Sequence, residues 1–276
     1  MREIEAIQEI QQIALKILIH IDQVCQEHRL KYFIVDGTLL GAVRHQGFIP
    51  WDDDIDIWMP REDYDRLTAV MEAETNGRYK MLNIDTAPWY RYGFGKVIDT
   101  HTLLVEDLGY SGKMGVFVDV FPYDGLPGKT EEEYAPFVKK CQYLVSQRGS
   151  ACCTWKRFIG EGKPSFSKAL KWSTRKLYGA RRILKQLDKL CRTYSPSGAS
   201  MVGCLCDGYR LRDIMPAEVV EETTDLMFEG IPVKAPAGYL QYLKTLYGDY
   251  TKLPPEEERV THHHYRVWWK DGKDGR

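Results

Sequence analysis

Asp52, Asp54 and Asp56 recur at every second position of the run PWDDDIDIWMP, residues 50–60, with Asp53 and Ile55 between them and Ile57 after. Side chains alternate faces along an extended strand, so Asp54 and Asp56 project from one face while Ile55 and Ile57 can bury the other. Two carboxylates side by side repel each other unless a cation lies between them. Mg²⁺ or Mn²⁺ suits that place, because a hard divalent cation takes carboxylate oxygens and leaves positions open for substrate phosphates. A calcium loop fits less well. Asp52, Asp54, Asp56 and Asp63 match positions 1, 3, 5 and 12 of an EF-hand, but Ile57 stands where glycine is required and Asp63 where glutamate belongs. The run reads as a metal-phosphate site built on a strand, with Asp54 and Asp56 as its ligands.

Groups suited to phosphate stand around it. Gly37 lets the backbone approach a ligand, Thr38 can cap the helix expected next, and the free amides of that helix start make a phosphate seat. Arg44, Lys96 and Arg259 can neutralise phosphate charge, the arginines bidentately, or serve as structural ion pairs. Trp51 adjoins the carboxylates and can stack on a base or a quaternary ammonium, or pack in the core. Asp119 interrupts the apolar run GVFVDVF, where a lone carboxylate is costly to bury without a partner. Asp124 follows it as a weaker candidate for the same duty.

The elements that must position these groups follow from periodicity. Ile4, Ile7, Ile10, Ile13, Ile17, Ile21 and Val24 recur at steps of three or four, which predicts an amphipathic helix over residues 2–27. Strands are expected at 31–35, 53–59, 81–84, 95–98, 103–106 and 115–121. Pro60 opens a helix whose first turn carries Glu62 and Asp63. From 130 to about 192 helical spacing dominates, and Lys156, Arg157, Lys163, Lys168, Lys171, Arg175, Lys176, Arg181, Arg182, Lys185 and Lys189 face only Glu161 and Asp188. With Leu170, Leu177, Ile183, Leu184 and Leu187 interleaved, this segment is either a solvated helix face or a docking surface for an anionic membrane or a polyanionic acceptor. Residues from 270 on read as a tail.

The chain has 276 residues, 43% hydrophobic and 28% charged, with a net charge of −1, so the overall balance predicts no nucleic-acid binding. No stretch offers the ~18 apolar residues of a membrane span. Glu3, Glu5 and Glu9 among the first isoleucines do not fit a secretory leader, which points to the cytoplasm, with the basic segment allowing a peripheral place at the inner membrane face. Seven cysteines, an odd number without zinc-site spacing, are expected to be reduced packing residues.

The block GTLLGAVRH…G-F-IPWDDDIDI resembles the signature of the LicD family, which comprises bacterial phosphocholine transferases and relatives of the fukutin-related protein. GVFVDVFPYDGLP, FEGIPVKAP and YGDYTKLPPEEERVTHH fit the same pattern, so the resemblance spans residues 10–265 with a weak middle. It implies an α+β fold: a nucleotidyltransferase-like mixed β-sheet flanked by helices, with a basic helical insertion. Residues 1–129 would form the catalytic core, 130–200 the insertion, and 201–276 a part that completes the active site. It implies that Asp119 is a third metal ligand or a catalytic base, and that Arg259, His262 and His263 return to the site, where either histidine binds phosphate, protonates a leaving phosphate or orients the acceptor. The implied reaction moves phosphocholine, or a related phospho-alcohol, from CDP-choline or another CDP-alcohol to a hydroxyl of a cell-surface glycan or its lipid-linked precursor, releasing CMP. A nucleotidyltransferase releasing pyrophosphate and a non-catalytic peripheral membrane protein are the alternatives.

Overall fold

Strand β1 (Arg2–Ile4) leads into helix α1 (Ile7–His28), whose Ile10, Ile13, Ile17, Leu18, Ile21 and Val24 are buried. The helix ends where Arg29 takes the left-handed conformation, φ 52°. The chain continues as β2 (Phe33–Ile34), α2 (Asp36–His45), β3 (Asp56–Pro60), α3 (Arg61–Ala73), β4 (Tyr79–Leu82), β5 (Gly95–Asp99), β6 (Thr102–Glu106) and β7 (Phe117–Gly125). Four helices follow: α4 (Glu131–Cys152), α5 (Trp155–Ile159), α6 (Phe166–Tyr178) and α7 (Ala180–Cys191). The last part comprises β8 (Met201–Gly203), β9 (Ile214–Pro216), α8 (Glu218–Glu221), β10 (Thr223–Phe228), β11 (Ile231–Pro236), α9 (Tyr239–Tyr247) and β12 (Tyr265–Trp269). This computed structural model describes every residue except 75–76, 107–113, 161–164, 209, 262–264 and 273–276.

The main sheet runs in the order β2-β3-β7-β5-β4, and β8 and β9 extend it from the end of β7. β3 and β7 are parallel and the other pairings antiparallel, so the sheet is mixed. Every residue of β7 is buried, which explains its near-continuous apolar sequence. Together with the flanking helices this is the α+β architecture expected.

Several boundaries differ from expectation. Residues 2–4 belong not to the first helix but to β1, which pairs with β12 in a small sheet closed by β6. The carboxylate strand starts at Asp56, because Asp52 and Asp53 are held from outside the sheet. Gln11 of α1 donates to the Asp52 carbonyl at 2.7 Å and the Tyr265 hydroxyl to the Asp53 carbonyl at 3.4 Å. The hairpin β10-β11 buttresses α2: Phe228 packs on Phe48 at 4.8 Å, and Glu229 accepts from the Phe48 amide at 3.0 Å.

Arg61 ties the helical part to the sheet. Its guanidinium grips Asp124 through two contacts of 2.8 and 2.5 Å and reaches Asp188 of α7 at 3.2 Å. Asp124 is fully buried and spent on this pair, which removes it as a candidate third carboxylate. Arg61→Met leaves that carboxylate without its partner, so urea unfolding is expected to show a loss of about 3–5 kcal/mol. A loss below about 1 kcal/mol would mean that the pair holds nothing together.

Candidate active site

Parallel pairing of β3 with β7 sets Asp56 directly opposite Asp119. Antiparallel pairing of β7 with β5 sets Lys96 opposite the same aspartate. Three side chains from three neighbouring strands therefore meet. Asp54, in the extended segment before β3, brings its carboxylate to the same point. Oxygens of Asp54, Asp56 and Asp119 all lie within 4.8 Å of one another, and so do those of Asp52, Asp53 and Asp54. Burial, and then the charges of Asp54, Asp36, Asp119 and Asp52, push the Asp56 carboxyl well above the ordinary carboxylate range. Clustered like charges of that kind fit a hard divalent cation with oxygen ligands.

The carboxylates open on a cavity of about 1020 Å³ lined by Asp36, Gly37, Arg44, Trp51, Asp54, Asp56 and Arg212, with Tyr247, Tyr250, Glu257 and Glu258 further out. A Cβ on Gly37 would lie 2.5 Å from an Asp52 side-chain oxygen, so any larger residue there must push that carboxylate aside. Thr38 does not cap the helix. It lies inside α2, and its hydroxyl accepts from the Asp56 amide at 2.8 Å, pinning the start of the carboxylate strand.

The expected cations are placed unequally. Arg44 lines the cavity but donates to the carbonyls of Tyr250 and Lys252, both at 3.1 Å, so it holds the loop over the cavity mouth. Lys96 forms a structural ion pair, one of its two expected roles. It is buried, its ammonium is 2.5 Å from Asp119, and it lies 3.4 Å from the centre of the Phe117 ring. Its ammonium offsets the charge of Asp119 from within the sheet. Arg259 donates to the Pro254 carbonyl at 2.9 Å and sits 5.8 Å from the Trp51 ring, behind the cavity wall. Trp51 also meets His45 edge-on at 6.5 Å. His262 and His263 lie outside the described residues.

Sequence reasoning missed Asp36 and Arg212. Asp36 is buried, adopts φ 48°, and accepts from the Tyr242 hydroxyl at 3.1 Å. Burial, with help from Asp207 and Asp54 and against the Tyr242 hydrogen bond, pushes it up to about 7. Its signal was the Asp-Gly pair at the helix start, since aspartate tolerates the left-handed region. Arg212 had no signal, because the turn that carries it reaches the cavity only through tertiary packing.

These carboxyls predict how pH acts. A cation must displace the proton that burial and like charges hold on Asp56, so metal binding strengthens as pH rises. Without metal, stability runs the other way. Carboxyls held above their unfolded value bind more protons in the folded state, so lowering pH from about 8 to about 6 should raise the unfolding temperature in EDTA. Saturating Mg²⁺ should flatten that gain. A midpoint that falls over this interval in EDTA would contradict the description of the cluster.

Fold and site together define a nucleotidyltransferase-like protein, built on a mixed sheet with a carboxylate cluster on adjacent strands. Residues 29–147 match the family described as LicD/FKTN/FKRP, nucleotidyltransferase domain. Over 261 residues the chain is 33% identical to the lipopolysaccharide cholinephosphotransferase LicD of Haemophilus influenzae, covering 93% of this chain and 96% of that protein. The chain belongs to the LicD family. Shorter similarities join it to two uncharacterised proteins: 53% identity over 45 residues in Rickettsia prowazekii, covering 16% of this chain and 17% of that one, and 62% over 37 residues in Rickettsia typhi, covering 13% and 12%.

Proposed function

We propose that the protein transfers phosphocholine from CDP-choline to a hydroxyl of a surface glycan such as lipopolysaccharide, or of its lipid-linked precursor, and releases CMP. The observation that carries this reading is the cluster of Asp54, Asp56 and Asp119, of which Asp54 and Asp56 line the cavity. The rim supports choline over an uncharged alcohol: Trp51, Tyr247 and Tyr250 accompany Asp249, Glu257 and Glu258, a combination that attracts a quaternary ammonium. The relative from Haemophilus influenzae carries the same activity in its name.

Asp54, Asp56 and Asp119 would hold Mg²⁺ or Mn²⁺, which would offset phosphate charge when bound. Asp119 would serve as the third ligand, with Lys96 holding one of its oxygens in place. The acceptor oxygen attacks the phosphorus bearing choline, and the bond to the CMP phosphate breaks. In a loose transition state the acceptor proton is lost late, so positioning and charge compensation do most of the work. Arg44 and Arg212 stand on the wall where the diphosphate would lie.

Calorimetric titration of CDP-choline, CDP-ribitol, CDP-glycerol and CTP, each with Mg²⁺ and with EDTA, tests the donor. Metal-dependent binding of CDP-choline above the others is the expected result. Preference for another CDP-alcohol would sink the choline assignment and keep the mechanism. Binding of CTP alone would favour the nucleotidyltransferase alternative.

A further inference from the structure

Helix α6 turns its apolar stripe outward. Phe166, Leu170 and Leu177 fall at steps of four and seven residues, which puts them on one face. They are 84%, 54% and 82% exposed, and α6 buries no residue fully. Its neighbour α7 does the opposite: Ile183, Leu184 and Leu187 are buried, and Arg182, Lys185 and Lys189 are exposed. The single basic amphipathic surface expected from the sequence thus divides, and only the apolar side of α6 is available.

This orientation is anchored from behind. Trp172 packs edge-on against Trp155 at 5.7 Å and donates to the Cys153 carbonyl at 3.3 Å, while Arg175 donates to the Ser150 hydroxyl at 2.8 Å. Lys171 and Lys176 are exposed on either side of the stripe. Residues 165–192 carry nine lysines and arginines against Asp188 alone, in a chain of net charge −1.

We propose that α6 docks the protein on an anionic lipid bilayer, with Phe166, Leu170 and Leu177 entering the headgroup region and Lys171, Lys176 and the basic face of α7 meeting lipid phosphates. A helix with protruding apolar residues between cations has the form that lies in a membrane interface. No helix among the described residues is long and apolar enough to cross a membrane. A second copy is a poor occupant, because it would bring two strongly basic faces together. The inference stands on this surface alone and is independent of the donor.

Sedimentation with vesicles tests it, using phosphatidylcholine alone and phosphatidylcholine mixed about 3:1 with phosphatidylglycerol. The protein is expected to pellet with the mixed vesicles, weakly with the neutral ones, and less as salt rises. The triple variant Phe166→Ser, Leu170→Ser, Leu177→Ser should lose at least about tenfold in partitioning, as should Lys171→Glu with Lys176→Glu. Circular dichroism and the unfolding midpoint should not move, since all these side chains are exposed. Failure of the wild-type protein to bind anionic vesicles would overturn the proposal, as would a triple variant that binds equally well. Analytical ultracentrifugation showing a dimer that the triple variant converts to monomer would overturn it in favour of a second copy.

Discussion

Asp56→Asn is expected to reduce transfer by roughly a thousandfold or more while raising the unfolding midpoint of the metal-free protein. The two effects have one cause. Burial and then Asp54, Asp36, Asp119 and Asp52 all oppose the charge of Asp56. Asparagine keeps the shape and the Thr38 contact to the backbone amide but removes that charge. Relief contributes on the order of 1.4 kcal/mol for each pKa unit that the native site imposes. The variant should also lose the stabilisation expected of Mg²⁺ in the wild-type protein, since ligands that bind only the folded state raise its midpoint. Turnover at the wild-type level, or an unchanged response to Mg²⁺, would remove Asp56 from the site.

Lys96→Met is expected to cost about 3–5 kcal/mol, because it strips the buried Asp119, beside Asp54 and Asp56, of the ammonium that offsets its charge. Lys96 and Asp119 face each other across β5 and β7 and are 3% and 5% exposed, so water cannot replace the ammonium. Asp119→Asn in the same chain should recover most of that loss, and a double-mutant cycle should return a coupling above about 1 kcal/mol. On the proposed mechanism transfer should stay lost in the double variant, since Asp119 would be the third metal ligand. Recovered transfer would show instead that Lys96 and Asp119 serve only the fold. A single variant as stable as wild type would contradict the pairing itself.

How much of this was legible depends on the reach of each interaction. Alternation made Asp54 and Asp56 visible, and the apolar setting of VFVDVF exposed Asp119. Their meeting was not visible, because it depends on parallel pairing between segments some 60 residues apart. The same limit hid the role of Lys96. Charge marks a lysine as able to meet phosphate, but only the β5-β7 register shows that it faces Asp119. Thr38 was misjudged for a local reason: a hydroxyl beside glycine at a helix start suits a cap, yet a strand amide competes for it. Residues 2–4 carry the isoleucine period into a strand, because pairing with the distant β12 outweighs a helix turn at a chain end. The basic segment showed its charge and helical spacing in the sequence. Which of its leucines face out required the packing of α6 and α7 on the body.

The central claim is that the carboxylate cluster moves phosphocholine from a CDP-linked donor. The most direct measurement is an assay with CDP-choline labelled in its choline methyls, a lipopolysaccharide acceptor and Mg²⁺, run beside Asp54→Ala, Asp56→Asn and an EDTA control, with the nucleotide product identified. Label in the acceptor, with CMP released in equal amount and both lost in the variants and in EDTA, is the predicted result. Label transferred equally well by Asp54→Ala and Asp56→Asn, or release of pyrophosphate from CTP with no transfer from CDP-choline, would contradict it.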